Sequence, residues 1–160
     1  NHSLTEEVLV NPIYPSTPSE SRSIWLGSNN ESMDASIYQD LMDVVWIQYM
    51  EDLNYSSYVL DEFVNKNISG MEAMASTTSL FTLTSQNVDL LDKIKPRSKF
   101  MQYHNTTLDA MINLEGYLWN MAKFYESNRR VYAIQAHENF NESMSSYETA
   151  SDISAQLKRA

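Results

Sequence analysis

From Ser28 to Ala160 the apolar residues recur three and four positions apart, the spacing that lays one stripe along a helix. Residues that break helices are nearly missing from this stretch, where only Gly70, Pro96 and Gly116 interrupt. Pro12, Pro15, Pro18 and Gly27 all fall earlier, among serines. The pattern predicts an all-α domain over residues 31–160 behind an irregular Ser/Pro-rich leader over residues 1–30. Within the leader, Trp25 and Leu26 are too apolar to stay in water and are expected to fold back on the end of the helical domain.

The stripe divides into four helices. The first is expected from Met33 to Val64, capped by Ser32 or Asn30, with Asp34 in the first turn where the helix dipole favours a negative charge. Its inner face reads Tyr38, Met42, Val45, Tyr49, then Leu53, Leu60 and Phe63, with a kink expected at Asn54–Ser57. The second begins at a capping box, Ser69 at the cap and Glu72 three residues on, and runs to Lys95. Its β-branched middle, STTSLFTLTS, lacks strict alternation and bounding turns, so it reads as helix rather than strand.

The third opens at Pro96, a residue suited to the first helical position, and turns Phe100, His104, Thr107, Met111, Leu114, Leu118 and Tyr125 inward. Gly116 inside it predicts a close approach of another helix. After a turn near Ser127–Arg130 the fourth is expected to bury Ile134, His137, Phe140, Met144, Tyr147 and Ala150. Short connections place sequence neighbours side by side and reversed. The expected fold is an antiparallel up-down-up-down four-helix bundle.

Composition narrows the chemistry. The chain has no cysteine, which removes thiolate metal sites, disulfides and cysteine nucleophiles. A net charge of −10 opposes contact with phosphate backbones, so nucleic acid is not an expected partner. No apolar run approaches the ~18 residues of a membrane span. The helices carry no Glu-x-x-His pair, no glycine-rich phosphate loop and no Gly-x-Ser-x-Gly elbow. No catalytic residue, metal site or cofactor is therefore expected, and the chain is read as a non-enzyme.

Asn-x-Ser/Thr triplets stand at Asn1, Asn30, Asn54, Asn67, Asn105 and Asn141, against roughly three expected by chance from this composition. With the start at Asn1 rather than Met, they predict a glycosylated protein of the extracellular space or cell envelope, with a membrane tether or signal formerly ahead of the leader.

Two polar residues interrupt the apolar face of the third helix. Glu115 lies among Met111, Ile112, Leu118 and Trp119, and counting from the expected turns brings it level with Thr77 or Thr78 and Asn141, with His137 about one turn away. A half-buried carboxylate there needs donors. The expected ligand-gripping layer is Glu115, Trp119, His137, Thr78 and Asn141, and the alternative is a satisfied core layer that fixes register. His104 counts level with Asp152, a structural contact. His104 and His137 differ in height by roughly 22 Å at ~1.5 Å per residue, too far to share one metal ion. Tyr55, Tyr58, Tyr117 and Trp119 form a second candidate cleft, with ordinary packing as the alternative.

The segment from Ile94 to Glu115 resembles secreted four-helix-bundle proteins of methanogenic archaea and bacteria, in which a proline-started helix carries an aromatic, a His four residues on, and Leu-Glu near its middle. Pro96, Phe100, His104, Ala110, Leu114 and Glu115 carry the resemblance, while Arg97 and Ser98 depart from it. The resemblance implies the fold and an extracytoplasmic location, and makes His104 a packing residue. The expected function is a sensor-like or ligand-binding extracytoplasmic domain, taking a small ligand or an envelope protein as partner. The alternative is a structural or envelope interaction protein without a small-molecule site.

Overall fold

The computed structural model describes residues 32–159, which are helical and contain no strand. The leader, Trp25, Leu26, Asn1 and Asn30 lie outside the described residues. Four helices, α1 (Ala35–Val64), α2 (Gly70–Lys93), α3 (Met101–Ser127) and α4 (Arg130–Arg159), pack against one another, with a 3-10 turn at Ser98–Phe100. Among the described residues no helix is long and apolar enough to cross a membrane.

Local chemistry sets the ends. Asp34, rather than Ser32, caps α1: its carboxylate accepts from the Ser36 and Ile37 amides at 2.9 and 3.2 Å. The α2 capping box forms as the sequence predicts, with Ser69 and Glu72 bonding each other's backbone amides at 3.1 Å. Asn128 closes α3 in the left-handed conformation that asparagine tolerates, its amide 2.7 Å from the Phe124 carbonyl.

Two expected boundaries move. Helix α2 stops at Lys93, and Pro96 does not open α3. Proline holds the residue before it extended, and the chain stays extended from Ile94 to Arg97 with Ile94 and Pro96 buried as plugs. The Lys95 carbonyl accepts the Met33 amide at 2.8 Å, tying the entrance of α1 to this connector. Nor does α1 break at Asn54–Ser57. It is one helix of 30 residues, because the Ser56 hydroxyl donates to Tyr117 Oη at 3.1 Å instead of competing for its own backbone.

The inner face of α3 is the one expected, from Phe100 through His104, Thr107, Met111, Leu114 and Leu118 to Tyr125. On α4 the expected face holds in its second half, where Ala150 is buried and Phe140, Met144 and Tyr147 are half-buried. It is rotated in the first half: Ile134 and His137 are exposed, and the fully buried line is Ala136, Ser143 and Ala150, seven apart. Small side chains are required there because α3 and α4 run close: Ser143 Oγ donates to the Ala110 carbonyl at 2.7 Å, and Gly116 faces Asn139.

Helix α1 instead reaches its neighbours through long side chains. Tyr38 meets His104 and Phe100, Tyr49 meets Ser143 and Tyr147, and Trp46 donates to Tyr103 Oη at 2.9 Å. The apolar core falls into two clusters, one around Tyr38, Met42, Leu91 and Met111, the other around Val59, Ala73, Met121 and Ala136. On α1, Asp52 and Ser56 lie between them.

The two described glycines differ in what they permit. A Cβ on Gly70 would stand 2.6 Å from the Tyr125 carbonyl oxygen, a backbone atom, whereas on Gly116 it would meet the movable Asn139 amide at 2.9 Å. Gly70→Ala is expected to lower stability by about 1–3 kcal/mol. Gly116→Ala should stay near neutral, because about 1 kcal/mol of helix propensity offsets the displaced amide. Denaturant midpoints of the two variants check the contrast.

Candidate functional site

The five residues expected to form one polar layer separate into two places. Thr78 on α2 and Trp119 on α3 line an open groove of about 180 Å³ with Met74, Phe81, Ala122 and Lys123. The Phe81 and Trp119 rings lie 5.4 Å apart, the Lys123 ammonium sits 4.8 Å over the indole, and Glu126 pairs with Lys123 at 3.5 Å. Trp119 is 48% exposed, a large aromatic held in place while facing water. The Thr78 hydroxyl turns to Met74 Sδ at 3.5 Å.

Glu115 stands one turn before Trp119 and accepts from Ser85 Oγ at 2.6 Å, a donor the sequence reading passed over. His137 and Asn141 are on the exposed side of α4, joined to each other at 3.2 Å. They do not reach Glu115, because α4 turns its small residues inward and carries these two outward. The second expected cleft also fails to assemble. Tyr55 and Tyr58 stack at 6.1 Å on the outer face of α1, while Tyr117 lies inside against Phe140 and Ser56.

His104 is closed to chemistry. Its Nε2 lies 2.8 Å from the Leu91 carbonyl, which can only accept, so this nitrogen carries the proton. Nδ1 then accepts from Tyr38 Oη at 2.9 Å. Both nitrogens are used, Asp152 is not a partner, and burial pushes the imidazole pKa down, favouring this neutral form. A similar chain joins Tyr49 to α3. Ser143 gives its only hydroxyl proton to the Ala110 carbonyl, so Tyr49 Oη is the donor in the 2.8 Å Tyr49–Ser143 bond.

The residue that the sequence reading missed is Asp52. It is 2% exposed, accepts from Gln48 Nε2 at 2.8 Å, and receives a long contact of 3.5 Å from Thr84 Oγ1. The signal was present: spacings of four and three along Tyr38, Met42, Val45, Tyr49, Asp52, Ser56 and Val59 continue without a break. Following hydrophobicity to Leu53 and Leu60 left that line at the polar pair. Asp52 is too enclosed to meet a substrate. It lies where helices α1 and α2 meet and no cation pairs with it among the described residues. No group of three or more His, Asp or Glu side chains among them can hold a metal ion.

Asn54, Asn67, Asn105 and Asn141 are exposed, as are Asn65 and Asn128, which open no sequon, whereas Asn87 is buried and Asn113, Asn120 and Asn139 are half-buried. The amides of Asn67 and Asn141 bond Glu62 and His137, at 2.8 and 3.2 Å.

Burial pushes the Asp52 carboxyl up to about 6 from its ordinary 3.8, against the hydrogen bonds that favour ionisation. Between these values the folded protein holds more protons than the unfolded chain, so this group's contribution falls as pH rises. Above pH 7 the ionised Asp52 costs roughly 2–3 kcal/mol. Asp52→Asn should stabilise the protein by about that much at pH 8 and by almost nothing near pH 4, read from urea midpoints of both proteins across the range. Comparison of the chain with protein-family models, curated proteins and solved structures finds no match in any of the three.

Proposed function

We propose that this chain is a non-enzymatic, extracytoplasmic helical domain of the cell envelope that works through its surface, holding a protein partner by one apolar side chain placed in the Trp119 groove. The observation that carries this is the groove itself. A half-exposed tryptophan, fixed by Phe81 beneath and Lys123 above, is the type of residue that dominates binding energy at protein interfaces. About 180 Å³ suits a single inserted side chain, whereas small-molecule pockets usually span ~300–1,000 Å³.

The interior supports the same reading. His104, Ser56 and Ser143 spend their hydrogen bonds on neighbouring helices, and Asp52 accepts from Gln48 of its own helix. We read the four helices as up-down-up-down: Gly70 lies by Tyr125, Phe81 by Trp119, Ser85 by Glu115 and Leu91 by His104, so numbers rise on α2 as they fall on α3. Residues 1–30 act as a tether in this reading. The sequons and the resemblance around Pro96–Glu115 support the location; the four described sequon asparagines are exposed, although the hydroxyl residues Ser56, Thr107 and Ser143 are buried in the fold.

A second reading, a small-ligand site, is favoured by Thr78 and Trp119 sharing the groove with Glu115 one turn away. The two are separated by Trp119→Ala. It should leave helix content unchanged, shift stability by no more than about 1 kcal/mol because the ring is half in water, and weaken partner binding about tenfold or more. Photo-crosslinking from position 78 in the native host is the check. An adduct to one protein, lost in Trp119→Ala, is expected. A groove that crosslinks to no protein, or equally with and without the indole, contradicts the proposal.

A further inference from the structure

Over the whole chain the net charge is −10, but along the bundle the charges are segregated. No Lys or Arg stands between residues 34 and 65, 67 and 92, 100 and 122, or 131 and 157. Carboxylates occupy those stretches on every helix, among them Asp40, Asp89, Glu115 and Glu142. The described cations are confined to the last turns of the helices and the connections between them. Six of them, Lys93, Lys95, Arg97, Lys99, Lys158 and Arg159, come to the same end.

Packing brings these separate segments together. Ser143 meets Ala110 and Asn139 meets Gly116, so numbers on α4 fall as those on α3 rise. Carried on at ~1.5 Å per residue, this sets Lys158 and Arg159 beside the connector that precedes Phe100. Leu157 packs on the cluster that holds Met33, Ile94 and Phe100, which agrees with that placement. In the connector, extended backbone turns successive side chains to opposite sides, so burying Ile94 and Pro96 drives Lys95 and Arg97 outward. All six cations are exposed. Asp34 and Asp92 stand among them, and the Asp34 carboxylate already holds the cap amides of α1. The next carboxylates, Asp40, Asp89 and Asp152, lie four to six residues along their helices, roughly 6–9 Å away from this end.

We propose that this end is a docking surface for an anionic membrane, on which the bundle stands upright. A plane of lipid phosphates meets all six cations at once and leaves the carboxylate-bearing flanks pointing away. On its side, the bundle would press those carboxylates onto the phosphates. With a Debye length of ~8 Å, carboxylates beyond the first turns are screened from the surface while the cations touching it are not. The chain also enters the bundle here: the Met33 amide donates to the Lys95 carbonyl at 2.8 Å, so the segment ahead of α1 joins at this base. Trp119 lies roughly 30 Å higher, counted from Lys99 along α3. Upright docking holds its groove clear of the lipid, and the proposal depends neither on that groove nor on the compartment.

Flotation of the 160-residue chain with vesicles of phosphatidylcholine, alone or mixed with phosphatidylglycerol, tests this. At low salt the mixed vesicles should bind about tenfold more strongly or better, and binding should fall as salt rises to about 0.15 M. Equal binding to both vesicles, or binding to neither, overturns the proposal. The triple variant Lys93→Gln, Lys99→Gln, Lys158→Gln should lose about a hundredfold, at about fivefold per cation. Removing as much charge from the opposite end, with Lys66→Gln, Arg129→Gln, Arg130→Gln, should change binding by less than about twofold, because those cations stand far beyond a Debye length. Equal losses in the two triples contradict docking by this end. The chain has no cysteine, so a fluorophore can be placed singly on Ser98→Cys or on Met71→Cys at the far end. A lipid-borne quencher should reach the first and not the second; equal quenching means that the bundle lies flat and overturns the upright arrangement. Tighter binding to a short DNA duplex than to the mixed vesicles would assign the cations to a linear polyanion and overturn the membrane as partner.

Discussion

Helix α1 is held by the hydrogen bonds at the tips of its buried side chains, and the rest of the bundle is arranged to supply their partners. Its inward line keeps the spacing of a bundle seam, but two of its seven positions are Asp52 and Ser56. An unpaired polar group in that position would cost about 1–3 kcal/mol. Each therefore finds a partner: Ser56 the hydroxyl of Tyr117, Asp52 the amide of Gln48, Tyr38 the ring of His104, and Tyr49 the hydroxyl of Ser143. The three that leave the helix, from Tyr38, Tyr49 and Ser56, have direction, which apolar burial lacks, so they fix the height and rotation of α1 against α3 and α4. Asp52 is the least compensated member, a carboxylate enclosed with no cation beside it among the described residues.

The other helices divide the remaining work. Helices α3 and α4 approach closely through Ala110, Gly116, Ala136, Ser143 and Ala150, and their packing is steric. Helix α2 carries many hydroxyls and spends several locally: Ser79, Thr82 and Thr84 donate to carbonyls one turn back at 2.9–3.1 Å, while Ser85 reaches across to Glu115 and Thr77 Oγ1 is buried without a partner among the described residues. That is how so threonine-rich a segment remains a helix. The extended connector then plugs the end of the core with Ile94 and Pro96 and receives the amide of Met33.

What the sequence made legible follows the same physics. The all-helical fold, the α2 capping box, the α3 inner face and the close contact at Gly116 each rest on a local rule that nothing in the tertiary structure overrides. The rotation at the start of α4 was not legible, because Ile134 and His137 mark its more apolar side while the fully buried positions against α3 are alanine and serine. Pro96 was legible as a breaker but not as a plug. Of the candidate site, Thr78 and Trp119 do meet, across α2 and α3. His137 and Asn141 do not join them, since their placement depended on the α4 rotation. At Asp52 hydrophobicity and spacing disagree: the four-and-three spacing runs on through Asp52 and Ser56, while the apolar residues step aside to Leu53 and Leu60.

The central claim is that the protein acts through its surface and holds no small ligand. Native mass spectrometry of the protein from its own host, set beside the mass of the denatured chain, tests this most directly. The account predicts that any mass beyond the polypeptide survives denaturation, as covalent glycan does. A small mass that is present in the native protein and lost on denaturation would contradict it, because the protein would then carry a bound ligand.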